Sequence, residues 1–169
     1  IAFGLWLLRY QGGLSKILAF LSFGVALWAA VMAGPDKVEM KFGEPFDPAT
    51  LSEALVGDDP VFVEMTAAWC VTCKYNNAVA IDIPSTRDLF SEYDVQFYIG
   101  DWTNEDPVIT EYLQAYGRNG VPLYVYYGPR DPETGERPDE VLLPQILTPG
   151  IVSDQSRACK QTQRRQKCV

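Results

Sequence analysis

An apolar run with a single carboxylate in it, Val61-Phe62-Val63-Glu64-Met65-Thr66, is joined by two alanines to Trp69-Cys70-Val71-Thr72-Cys73-Lys74. A short, β-branched apolar run reads as a buried strand, and the spacing that follows predicts a helix from Cys70 to about Ile81. Cysteines three apart fall on the same side of a helical turn, close enough to alternate between a dithiol and a disulfide. At a helix start the backbone N–H groups and the macrodipole favour an anion, so Cys70 should ionise more readily than a free cysteine at pKa ~8.5. The thiolate is the nucleophile of thiol–disulfide exchange. Cys70 is therefore the candidate attacking thiol, and Cys73, one turn further in, the resolving one.

Two other readings of the pair compete with redox chemistry: half of a zinc site, or two inert core cysteines. The chain has no histidine, which excludes mixed Cys/His zinc sites. Its other cysteines, Cys159 and Cys168, lie in a polar stretch at a spacing unlike common zinc knuckles. Glu64 adds weight to the redox reading. Strand alternation puts Val61, Val63 and Met65 on one face and Phe62 and Glu64 on the other. If buried there, the carboxyl would have a raised pKa and could exchange protons with Cys73; the plainer reading is an edge glutamate facing water.

The N-terminal stretch differs from the rest. Ile1 to Leu8 is apolar, Arg9 to Lys16 is a short polar turn, and Ile17 to Ala33 is uncharged and almost wholly apolar. At 1.5 Å per residue that last run spans about 25 Å, the short end of a membrane crossing. Residues 1–34 read as the end of a transmembrane region, with the last span over about 15–34. A signal peptide and a buried core helix are the alternatives. Arg9 and Lys16 place the intervening loop in the cytoplasm by the positive-inside rule, and everything after Gly34 outside it.

Residues 35–152 read as a soluble domain. All 22 acidic residues but only 7 of the 14 basic ones lie between Asp36 and Gln155, a net charge of −15 for that stretch. So acidic a domain is a poor nucleic-acid binder. Val38–Phe42 is a candidate edge strand. Asp47-Pro48 marks a helix start, with Leu51 and Leu55 inward and Gly57 as its end. Ser85-x-x-Asp88 resembles a capping box ahead of Leu89 and Phe90. Val95–Ile99 is a second strand. Asp106-Pro107 opens a helix with Val108, Ile109, Tyr112, Leu113 and Tyr116 as its stripe and Gly117 as its stop. Leu123–Tyr127 is a strand, Gly128 to Asp139 a hairpin loop and Glu140–Leu143 the returning strand. Alternating strands and helices predict an α/β sheet with helices on both faces. Residues 153–169 are polar and basic and read as a disordered tail.

Glu64, Trp69-Cys70-Val71-Thr72-Cys73-Lys74 and Gly120-Val121-Pro122 together resemble thioredoxin. Thr66-Ala67-Ala68 ahead of the cysteines, Asp101-Trp102-Thr103-Asn104-Glu105-Asp106-Pro107, Gly120-Val121-Pro122-Leu123-Tyr124-Val125 and Leu143-Pro144…Leu147-Thr148-Pro149 narrow the resemblance. They resemble the C-terminal thioredoxin-like domain of DsbD-type thiol:disulfide interchange proteins, over about Val38 to Val152. The resemblance implies a thioredoxin-like fold, a mixed central sheet flanked by helices, preceded by a transmembrane helix. It implies Cys70 and Cys73 as the catalytic pair, Glu64 as the buried acid, and Trp69, Val121 and Pro122 as substrate-binding residues. It also implies a cis bond before Pro122, where the general rarity of cis X–Pro, about 5–6% in folded proteins, favours trans. Two departures stand out. Many relatives carry a second acid where this chain has Asn77, so weaker tuning of the Cys70 thiol is expected. Relatives also close with an amphipathic helix after the Thr-Pro segment, where this chain turns basic.

The resemblance further implies the function: a protein-disulfide reductase in a bacterial inner membrane, its soluble domain facing the periplasm. Its partners would be the transmembrane redox domain of the same family and periplasmic disulfide-bearing proteins. No metal or organic cofactor is required, since the redox centre is the Cys70–Cys73 pair itself. The alternatives are a non-catalytic binding module in cytochrome c maturation and a cysteine-based metal-handling protein.

Overall fold

The computed structural model describes residues 21–28 and 42–166, the side chains of 158–166 excepted. The chain divides into two compact units, Ile1–Asp36 and Lys37–Val169. Of the first, residues 21–28 are helical, with Leu21, Phe23, Val25, Leu27 and Trp28 exposed. No helix among the described residues is long and apolar enough to cross a membrane. The span expected over about 15–34 lies outside the described residues except at 21–28.

The second unit is built on five strands: β1 (Glu44–Pro45), β2 (Val61–Thr66), β3 (Gln96–Asp101), β4 (Leu123–Tyr127) and β5 (Val141–Leu142). They lie in the order β1-β3-β2-β4-β5. β3 runs parallel to β1 and β2, and β4 antiparallel to β2 and β5, so the sheet is mixed. The helices are α1 (Pro48–Val56), α2 (Val71–Asn76) running on into a π turn (Asn77–Ile81), α3 (Pro84–Glu92), α4 (Pro107–Ala115) and α5 (Pro149–Gln166).

β2 is central and all six of its residues are buried. Its alternation divides the core as the sequence predicts. Val61, Val63 and Met65 face one cluster with Leu51, Ile109 and Leu113, while Phe62 faces another with Phe90, Phe97, Tyr124 and Leu147. Each such large side chain contributes ~1.5–3 kcal/mol on burial. β3 carries Gly100 opposite Met65 because a Cβ at that position would collide with the Met65 sulfur.

The two Asp-Pro helix starts are as read. The Asp47 carboxylate accepts from the N–H groups of Ala49 (2.8 Å) and Thr50 (3.2 Å), and that of Asp106 from Val108 (2.8 Å) and Ile109 (3.3 Å). At the end of α4, Gly117 takes a left-handed φ of +65°. Arg118 N–H reaches Leu113 O and Gly117 N–H reaches Gln114 O, a Schellman closure.

Of three expectations, two are corrected and the second falls almost wholly outside the described residues. α3 begins with Pro84 and has no side-chain cap, so Ser85 lies inside the first turn and is not a capping-box residue. The described edge strand is Glu44–Pro45; of the Val38–Phe42 strand only Phe42 is described, and it is not strand. The third concerns 153–169, which the sequence reads as a disordered tail: the chain is helical from Pro149 to Gln166, and 167–169 lie outside the described residues. The apolar anchor that starts it explains this. Val152 and Ser156, one turn apart, are buried, and Ile151 packs against the Phe62 cluster. α5 rests on α3 and the π turn, so the closing helix is present despite its basic composition.

Candidate active site

The turn from β2 into α2 is fixed at both ends. Cys70 N–H donates to Ala67 O at 3.0 Å, and Lys74 N–H to Cys70 O at 3.1 Å. Cys70 is the N-cap residue of α2, and Cys73 N–H points at its Sγ, 3.1 Å away. A donor in that position favours the thiolate once the pair is reduced. Cys70 and Cys73 form a disulfide, with their Cα atoms 5.3 Å apart. Cys70 retains 6% exposure and Cys73 none, so a partner sulfur can reach only Cys70.

Around the disulfide, Ala67, Cys70 and Cys73 form a small buried cluster covered by Val121. The Val121-Pro122 bond is cis, as the resemblance implies. Trp69 stands beside the cysteines, half exposed, with its ring centroid 6.0 Å from that of Trp102.

The loop after β3 holds this turn in place. Thr103 Oγ1 accepts from Ala68 N–H at 2.8 Å, and Thr103 O accepts from the Trp69 indole N–H at 3.1 Å. The Thr103 hydroxyl and backbone N–H both donate to the Asp101 carboxylate. Trp102 N–H donates to Thr66 O at 2.8 Å, and its indole to Thr110 Oγ1 at 2.8 Å. In the sequence this segment served only as a mark of resemblance. Its supporting role was missed, although an Asp two residues before a Thr is a turn signature that could have shown it.

Glu64 is fully buried, which excludes the reading of an edge glutamate facing water. Its Oε1 accepts from Asn77 Nδ2 at 3.1 Å, and Oε2 has no partner among the described residues. Burial pushes the carboxyl up to about 8; the Asn77 bond opposes this and the Asp82 charge adds to it. Directly across β4 is Tyr124, whose phenol is pushed well above its ordinary range by burial and then by Glu64.

Asn76 is a second residue that sequence reasoning missed. It is fully buried, and its side chain uses three hydrogen bonds. Nδ2 donates to Tyr124 Oη (3.0 Å) and Gln145 O (2.7 Å), while Oδ1 accepts from Leu147 N–H (3.1 Å). It ties the cysteine helix to the segment before α5.

The thioredoxin-like family model matches residues 47–129, from the cap of α1 to just past β4. The domain has a thioredoxin-like fold. Among solved structures, the domain is similar to a thioredoxin from Thermus thermophilus. That match has 19% identity and a TM-score of 0.54, and covers 73% of this chain and 91% of the other. The oxidised C-terminal domain of DsbD from Neisseria meningitidis matches at 22% identity and a TM-score of 0.47, over 70% of this chain and 98% of that one. The chloroplastic thioredoxin z matches at 17% identity and a TM-score of 0.51, over 73% and 99%. A search of curated proteins gave no match. A thioredoxin-like domain with a Cys-x-x-Cys disulfide at the head of a helix has the arrangement of a thiol:disulfide oxidoreductase.

Proposed function

We propose that the thioredoxin-like domain is a protein-disulfide reductase, drawing electrons from a membrane redox domain and delivering them to periplasmic disulfides. The observation that carries the chemistry is the asymmetry of the pair. Cys70 caps the helix and keeps 6% exposure, while Cys73 is wholly buried, in a domain whose central strand buries Glu64. The reducing direction and the membrane partner are what the resemblance to DsbD-type proteins implies, and the apolar N-terminal stretch supports the membrane partner.

In the reduced domain, the Cys70 thiolate attacks a partner disulfide. A new S–S bond forms, the partner's own S–S bond breaks, and one partner sulfur leaves as a thiolate that takes up a proton. In molecules whose Glu64 is ionised, Cys73 then loses its proton to that carboxylate and attacks Cys70 Sγ. The mixed disulfide breaks, the second partner sulfur leaves as a thiolate and is protonated, and the Cys70–Cys73 bond forms. Two electrons have passed to the partner and the domain is oxidised. Exchange with a dithiol of the membrane domain restores it.

Insulin reduction by the full chain in the presence of dithiothreitol tests this reading. Turnover should vanish in Cys70→Ser, and Cys73→Ser should accumulate a mixed disulfide. A reduction potential near or below about −230 mV supports the reducing direction, and one near about −120 mV overturns it. If the disulfide cannot be cycled at all, the domain is a binding module and not an enzyme.

A further inference from the structure

Asn77 touches both the resolving cysteine's turn and the buried acid. Its backbone N–H donates to Cys73 O and Lys74 O, and its side-chain amide donates to Glu64 Oε1. It sits where α2 widens into the π turn Asn77–Ile81, and such turns are frequent at functional sites. The geometry points to Asn77 as a positioning residue that fixes which oxygen of Glu64 carries the proton exchanged with Cys73. This inference rests on the oxidoreductase reading above.

The chemistry follows from the amide. Nδ2 is only a donor, so Oε1 is held as an acceptor in both protonation states. The proton of the neutral acid therefore resides on Oε2, the oxygen without a partner among the described residues. The amide itself neither gives nor takes a proton near neutral pH, which leaves Glu64 as the titrating member of the Glu64–Asn77 pair. The other titratable or charged groups acting on Glu64 are Tyr124 from β4 and Asp82 at the end of the π turn, the latter ion-paired with Arg87 of α3. On β3 the residue opposite is Ile99. The bond from Asn77 stabilises the carboxylate against its burial, so the amide also sets the pH at which Glu64 changes state.

The test follows the Glu64 carboxyl by NMR in the oxidised full chain labelled with carboxyl-13C glutamate, the signal being assigned by its loss in Glu64→Gln. In Asn77→Ala the midpoint should rise by about one pH unit or more, because a bond to the charged form is lost. In Asn77→Asp a like charge replaces the donor, and the midpoint should rise at least as far. In the reduced protein, the pH at which Cys73-dependent release of a mixed disulfide changes rate should move with it. Alanine is a good helix former, so the first variant should keep its fold. An unmoved Glu64 midpoint in both variants overturns the inference, whatever the activity. If the wild type never resolves a mixed disulfide, the oxidoreductase reading fails, while the NMR titration still decides whether Asn77 governs Glu64.

Discussion

Glu64→Gln replaces a buried acid by its uncharged isostere, and the consequence for stability depends on pH in a calculable way. In the unfolded chain the carboxyl ionises at its ordinary 4.5; in the folded domain it ionises at about 8. Between those values the folded state binds more protons than the unfolded one. Stability therefore falls as pH rises through the window and is flat on either side of it. Each unit costs ~1.4 kcal/mol, about 5 kcal/mol over the whole window. Glutamine does not titrate, so the variant escapes this penalty. Its amide NH2 takes the place of an oxygen without a partner among the described residues, which adds a cost that does not vary with pH. The quantity to measure is the variant-minus-wild-type difference in unfolding free energy from urea titrations at pH 5, 7 and 9. Taking the difference cancels every other titrating group. It should move in favour of Glu64→Gln by about 2–3 kcal/mol from pH 5 to 7 and by about 4 by pH 9. A difference that stays flat across the three pH values would refute the reasoning, since it would mean that Glu64 is already ionised in the folded domain at pH 5.

Three further substitutions probe the framework around the site. Asn76→Ala leaves Gln145 O, Leu147 N–H and the Tyr124 hydroxyl without their shared partner, and should lower the unfolding free energy by about 2–4 kcal/mol in urea. Gly100→Ala forces a Cβ against Met65 and should cost about 1–3 kcal/mol, with Met65→Ala in the same chain recovering part of the loss that the two changes would cause separately. Asp106→Ala removes the cap of α4 and should cost about 1 kcal/mol, whereas Asp106→Asn should be nearly neutral.

What could be read from the chain, and what could not, divides by the range of the interaction. β2, the Cys70 cap, both Asp-Pro helix starts and the Gly117 stop depend on residues within a few positions of one another, so local pattern was enough. The burial of Glu64 needed one long-range fact, that β2 lies between β3 and β4. Alternation placed Glu64 on the Phe62 face, but only distant residues packed on that face, among them Ile81, Phe90 and Val152, turn it into an interior. Asn76 was illegible for the same reason: its partners lie 48 to 71 residues away, and a polar side chain on a short helix ordinarily faces solvent. α5 shows the opposite failure, in which composition was trusted over contact. Its charged residues need no burial, and one apolar pair, Ile151 and Val152, lodged against the core starts a helix that polar residues can then continue. The departure at Asn77 joins the two cases. Read locally, an amide in place of an acid means only a weaker proton relay. Placed beside Glu64 it is a donor that holds one oxygen and leaves the other, so the same amide defines which oxygen of that carboxyl exchanges the proton.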